Sequence, residues 1–168
     1  HVIWYTGVSG AGKTTLANLL HNDFKKYNIN HQVLDGDILR KFFEDDMGYG
    51  EKDRISNLKR IAFASKLLSD NGITVIVAAV ASLGREFLRE NLKNYIQIYV
   101  SAPMETVIRR DPKGMYKRFQ NGETNQVVGL DIPYIEPKDP DVIVHTEKED
   151  VYESHHKILN YLKSKNLF

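Results

Sequence analysis

The residues most able to do chemistry come first in the chain, in the run Gly7-Val8-Ser9-Gly10-Ala11-Gly12-Lys13-Thr14. An apolar β-branched stretch precedes it and an amphipathic stretch follows, the context in which G-x-x-x-x-G-K-[ST] forms a phosphate loop. Glycines let the backbone curl and bring its N–H groups against phosphate oxygens without an intervening Cβ. Lys13 would supply a point charge to the β- and γ-phosphates and Thr14 a hydroxyl for Mg²⁺, with the positive end of the helix dipole behind them. The donor-side candidates are therefore Gly7, Ser9, Gly10, Ala11, Gly12, Lys13, Thr14 and Thr15. A nucleoside triphosphate is the expected ligand; hydrolysis, phosphoryl transfer and mere sensing all remain open at this point.

Asp35 and Asp37 follow in Leu34-Asp35-Gly36-Asp37, at the carboxyl end of a second strand, where open α/β sheets place their ligands. Phosphoryl transfer needs oxygen ligands for the metal and a proton acceptor for the attacking hydroxyl, and two such aspartates can share those tasks. The structural alternative makes Asp37 the N-cap of a helix over Ile38–Glu44. Arg40, one turn on from Asp37, points to the same side, either toward an anionic acceptor or as a plain surface charge. The third strand runs on into Ala79-Val80-Ala81, without the aspartate of motor-type ATPases, so metal support falls to Thr14 and Asp35. That tilts the reading towards a small-molecule kinase.

The elements that must position these groups alternate short β-branched runs with longer helical stretches. Strands are expected at Val2–Thr6, Gln32–Asp35, Ile73–Ala79, Ile96–Ser101 and Asp141–His145, and helices at Lys13–Tyr27, Asp53–Asn71, Arg85–Leu92, Met104–Arg110 and Tyr152–Ser164. The fold class is α/β: a P-loop kinase fold with five parallel strands and helices on both faces, in a single domain spanning residues 1–168. From Asp111 to Pro140 the chain is polar and turn-rich, and it is read as a lid. Arg109 to Arg118 carries five basic residues, a solvated charged loop or a means of neutralising a transferring phosphoryl group.

Composition bounds the rest. The 168 residues hold no cysteine, which excludes thiol chemistry and disulfides, and 23 Lys+Arg balance 22 Asp+Glu, which leaves no overall field for nucleic acid. No apolar run is long enough to span a membrane and no charged-then-apolar leader is visible, so a cytoplasmic protein is expected. The expected partners are a small-molecule nucleotide substrate and a second copy of the chain in a homodimer, with neither nucleic acid nor membrane. A GTPase would need N-K-x-D, which is missing, and Asp45-Asp46-Met47-Gly48 matches D-x-x-G by letters alone. His155 and His156, adjacent on the last helix, diverge by about 100° and are read as surface or partly buried residues, not metal ligands.

Taken with Gly48-Tyr49-Gly50-Glu51-Lys52-Asp53-Arg54-Ile55-Ser56-Asn57 and Arg110-Asp111-Pro112-Lys113-Gly114-Met115-Tyr116, the sequence resembles the adenylyl-sulfate (APS) kinase family over nearly its whole length. The family's motifs are, in order, a P-loop, L-D-G-D-x-x-R, G-F-S-x-x-D-R-x-x-N, R-D-x-K-G-x-Y, F-T-G-[ID] and Y-E-x-P, and all but two survive nearly intact here. The resemblance implies transfer of the ATP γ-phosphoryl group to the ribose 3′-hydroxyl of a nucleotide bearing a small acid at its 5′-phosphate. By motif match Asp37 would be the general base, with Lys13 beside it. Arg40, Arg54 and Asn57 would hold the acceptor together with Asp35, and Lys113 and Arg118 would belong to the lid. Arg110 joins the ATP side. Without the resemblance, D-R-x-x-N could be no more than a salt-bridged helical turn.

The departures cluster in the acceptor pocket. The family clamps the acceptor adenine between two phenylalanines; Tyr49 stands for one and Val127 for the other, while Val80 replaces the isoleucine of I-S-P-[YF]. Losing one stacking wall removes about 1–3 kcal/mol from a purine site. A related kinase acts on cytidine diphosphoramidate during decoration of bacterial capsular polysaccharides, and a single-ring base needs less stacking area. The expected acceptor is therefore cytidine diphosphoramidate, with adenylyl sulfate as the alternative.

Overall fold

The computed structural model describes residues 1–168. In chain order the elements are β1 (Val2–Thr6), α1 (Lys13–Lys26), β2 (His31–Asp35), α2 (Gly36–Phe42), α3 (Glu51–Asp70), β3 (Thr74–Ala78), α4 (Arg85–Asn91), β4 (Tyr95–Ser101), α5 (Met104–Arg110), α6 (Met115–Gln120), β5 (Val142–His145) and α7 (Val151–Ser164). The strands form one sheet in the order β2-β3-β1-β4-β5, every pair parallel. All residues of β1 and β3 are buried, as continuous apolar strands covered on both faces should be.

Alternation along β1 divides the core. Ile3 and Tyr5 pack with Leu16, Leu20 and Phe24 of α1 and Ile158 and Leu162 of α7 on one face. Val2 and Trp4 pack with Leu58 and Ile61 of α3 and Leu88 of α4 on the other. Helix α7 starts on a capping box, Asp150 accepting from the Tyr152 and Glu153 amides while Glu153 accepts from the Asp150 amide. His155 Nε2 lies 2.6 Å from Asp23 Oδ2 and ties α7 to α1. No helix is long and apolar enough to cross a membrane.

Two elements differ from the sequence-based expectation. Helix α2 begins at Gly36 and not at Ile38 because Asp35, not Asp37, is its N-cap: Asp35 Oδ1 accepts from the amides of Asp37 at 2.8 Å and Ile38 at 3.4 Å. The polar segment 111–140 contains α6, whose apolar residues Met115, Tyr116 and Phe119 pack on the core while Asp111 accepts from the Tyr116 and Lys117 amides at 3.1 Å each. Its far end is anchored at residues 133–136. There the Ile135 amide donates to Ser82 Oγ at 2.9 Å, Arg85 donates to the Ile135 carbonyl, and Tyr134 stacks on Tyr99.

Candidate active site

The carboxyl ends of β1, β2 and β3, flanked by the segment 110–133, enclose a cleft of about 1110 Å³. It is lined by Ser9, Gly10, Ala11, Gly12, Lys13, Thr14 and Thr15 at one end and by Arg40, Tyr49, Arg54, Asn57, Val80 and Val127 at the other. Asp35, Asp37, Arg110 and Lys113 line it as well. Gly7 alone among the expected residues lies off the lining, where a Cβ would collide with the Val100 carbonyl oxygen.

The phosphate loop is built from the outside in. Gly10 and Gly12 adopt φ of +81° and +112°, which admit glycine with least strain. The carbonyls of the loop are drawn outward. Tyr116 Oη donates to the Ser9 carbonyl at 2.6 Å, Arg110 Nη1 to that of Gly10 at 3.3 Å, and Thr146 Oγ1 to that of Ala11 at 2.6 Å. Burial, aided by the nearby Asp111 carboxylate, pushes the Tyr116 phenol up to about 12, so it stays protonated as the donor. Arg110 Nη2 also donates to the Thr146 carbonyl at 2.8 Å, which joins the end of α5 to the turn after β5. With carbonyls held away, the loop presents amides to an anion. Tyr116 and Thr146 carry this function unannounced: Tyr116 sits in a quoted motif without a role, and Thr146 is marked only by its place after the last strand.

Lys13 Nζ donates to the carbonyls of Gly7 and Val8, both at 2.9 Å. Burial, followed by repulsion from Lys113, lowers its pKa to about 8 against the opposing pull of Asp37 and Asp35. The Asp37 carboxylate meets the Lys113 ammonium directly, so the basic segment after α5 reaches over the cleft to the end of β2. Thr14 is exposed, and Asp35 engages only Oδ1 in capping. A hydroxyl and a free carboxylate oxygen beside phosphate sites suit a hard, oxygen-seeking cation that keeps much of its water. No group of three or more His, Cys, Asp or Glu side chains that could hold a metal ion occurs.

At the other end Arg40 is buried, donates through Nη1 to the carbonyls of Met47 at 3.2 Å and Gly48 at 3.0 Å, and lays its guanidinium 4.2 Å from the centre of the Tyr49 ring. Arg54 donates from Nε to the Tyr49 carbonyl at 2.6 Å and from Nη2 to the Gln126 carbonyl at 2.7 Å. Both arginines thus carry structural bonds that residue spacing did not disclose. Each also keeps N–H groups free of protein partners. Val127 is 2% exposed, a small apolar wall, and Asn57 is 8% exposed.

The adenylylsulphate kinase family model matches residues 1–145. An adenylyl-sulfate kinase of Picosynechococcus sp. is 39% identical over 162 residues, covering 95% of this chain and 92% of that protein. One from Halothermothrix orenii is 38% identical over 165 residues, covering 97% and 89%. The Mycobacterium tuberculosis APS kinase, solved in complex with AMPPNP and APS, superposes with a TM-score of 0.91 at 32% identity, covering 96% of each chain. On this agreement of sequence and architecture, the chain belongs to the adenylylsulphate kinase family, phosphotransferases that act on a hydroxyl group.

Proposed function

We propose that the protein transfers the γ-phosphoryl group of ATP to the ribose 3′-hydroxyl of adenylyl sulfate, giving ADP and 3′-phosphoadenylyl sulfate. One observation carries the reading: a phosphate loop with Lys13 and Thr14 shares a single cleft with Arg40, Arg54 and Asn57, and Asp37 lines the same cleft. A nucleotide-sensing module has no need of a carboxylate placed between two such halves. The names of the relatives support adenylyl sulfate as the acceptor, whereas the departures from the family's motifs at Tyr49, Val80 and Val127 favoured the cytidine compound.

In this reading the loop amides and Lys13 hold the β- and γ-phosphates, and Arg110 anchors the loop from behind. Mg²⁺ would supply charge neutralisation on the phosphates, and Thr14 and Asp35, which line the same cleft, would hold it. The acceptor's anionic groups take the free N–H groups of Arg40 and Arg54, with Asn57 adjacent. Its 3′-hydroxyl displaces the Lys113 ammonium from Asp37. Asp37 accepts the hydroxyl proton as the oxygen bonds to the γ-phosphorus and the bond to the ADP oxygen breaks. Released from Asp37, Lys113 is free to face the equatorial oxygens of the transferring group, and segment 111–140 acts as the lid that excludes water.

A second acceptor, cytidine diphosphoramidate, is favoured by Val127. That wall offers a base a branched aliphatic surface where the resemblance calls for an aromatic one, which leaves Tyr49 as the only ring of the pair. Acceptor-dependent ADP release measured side by side with the two nucleotides separates the readings. Preference for adenylyl sulfate supports the first, preference for the cytidine compound the second, and ADP release that ignores both rejects the kinase assignment.

A further inference from the structure

The acceptor half of the cleft is bounded by two loops far apart in sequence, residues 45–50 bearing Tyr49 and residues 124–132 bearing Val127. Neither belongs to a regular element. A gap between two loops holds a defined width only if something ties them together.

Arg54, in the first turn of α3, makes that tie. Its Nε engages the Tyr49 carbonyl and its Nη2 the Gln126 carbonyl, so one rigid guanidinium spans both walls. From the other side Asp131 clamps the same peptide: Oδ2 accepts from the Gln126 amide at 2.7 Å and Oδ1 from the Val127 amide at 2.6 Å. The Val127 carbonyl in turn accepts from the amides of Leu130 at 3.1 Å and Ile132 at 3.2 Å. Gln126 sits at φ +56°, a left-handed conformation that a non-glycine residue keeps only when its surroundings over-determine it. Two carboxylate bonds on one flank and a guanidinium bond on the other do so.

We propose that Asp131 is a positioning residue for the acceptor, acting with Arg54 as a strut that sets the separation between the Tyr49 and Val127 walls. The proposal rests on the assignment of this half of the cleft to the acceptor nucleotide. Both Asp131 oxygens are engaged by backbone amides, so it acts through the loop and not on the substrate. Slight burial tends to raise its carboxyl, but the amide hydrogen bonds and the Arg54 charge outweigh this and hold it below the usual carboxylate range, ionised at neutral pH.

The test compares the wild type with Asp131→Asn, which turns an amide donor toward one of the two backbone amides, and with Arg54→Lys, which cannot fork onto two carbonyls. Deuterium uptake of segments 47–54 and 124–130 is measured in the acceptor-free protein, and KM for acceptor and for ATP in the working enzyme. Both substitutions should speed exchange in both segments by about tenfold while the strands are unchanged. Asp131→Asn should raise acceptor KM by about fivefold or more with ATP KM within about twofold. Faster exchange confined to 124–130, or an unchanged acceptor KM, overturns the strut. The exchange measurement needs no acceptor, so it stands even if the wild type turns over neither nucleotide. That second failure would reject the proposed function alone.

Discussion

Replacing Asp37 with asparagine separates catalysis from structure more cleanly than any other change in the cleft. The Asp37 backbone amide, which bonds Asp35 Oδ1 at 2.8 Å, is retained in the variant. What is lost is a carboxylate whose side chain is 60% exposed and paired with a Lys113 side chain 55% exposed. A pair this wet contributes about 0–1 kcal/mol, so thermal stability should barely move. If Asp37 takes the hydroxyl proton, kcat should fall by about 10²–10⁴, or about 2.7–5.5 kcal/mol of barrier. ATP binding should not weaken. Removing a negative charge from the cleft lessens its repulsion of the phosphates, so affinity for the anion should hold or rise. The assays are acceptor-dependent ADP release for kcat and calorimetric titration of AMPPNP for affinity. Wild-type turnover in Asp37→Asn would refute the base assignment. A loss of AMPPNP affinity as large as the loss of kcat would place Asp37 on the donor site instead.

Three further outcomes follow from the geometry. Arg40→Ala removes the bonds to the Met47 and Gly48 carbonyls and the platform against Tyr49, so acceptor KM should rise by about tenfold while ATP affinity stays within about twofold; a tenfold loss of ATP affinity without acceptor would contradict it. Val127→Phe adds a ring at a position only 2% exposed, and if the ring turns into the cleft, adenylyl sulfate should gain up to about 1–3 kcal/mol in kcat/KM over the cytidine compound; an unchanged ratio in a folded variant would show that this wall does not meet the base. Lys13, with a pKa of about 8 in the free protein, must be protonated to bind phosphate, and phosphate oxygens beside it raise that pKa. Binding therefore takes up a proton above pH about 8, and ATP affinity should be flat below that pH and fall toward tenfold per unit above it, whereas a flat profile to pH about 9.5 would contradict the assignment.

The sheet was legible because its strands are short, with β1 and β3 apolar and buried along their whole length, so each expected strand ends within one residue of the observed one. The donor half could be proposed from the sequence for a different reason: the side chains of Lys13 and Thr14 are of types that name a chemistry. What spacing did not disclose are contacts to backbone. Arg54 and Asp131 meet across the Gln126 carbonyl and the Gln126 and Val127 amides, groups that every residue type carries, so no residue letter announces them. Helix α6 was hidden because it is six residues long in a polar, turn-rich segment, and the single buried ring of Tyr116 gives too little periodicity to register. The cap of α2 went to Asp35 because the helix starts at Gly36, and both aspartates satisfy the same N-cap preference.

The central claim is that one cleft moves phosphate from ATP to a ribose hydroxyl of a second nucleotide, and the position of the transferred group tests it most directly. Product from a reaction of the wild-type protein with ATP, Mg²⁺ and adenylyl sulfate, purified and examined by phosphorus–proton correlation, should show a new monoester phosphorus coupled to the ribose H3′. ADP and inorganic phosphate as the only new species, or a phosphorus coupled to H2′, would contradict it.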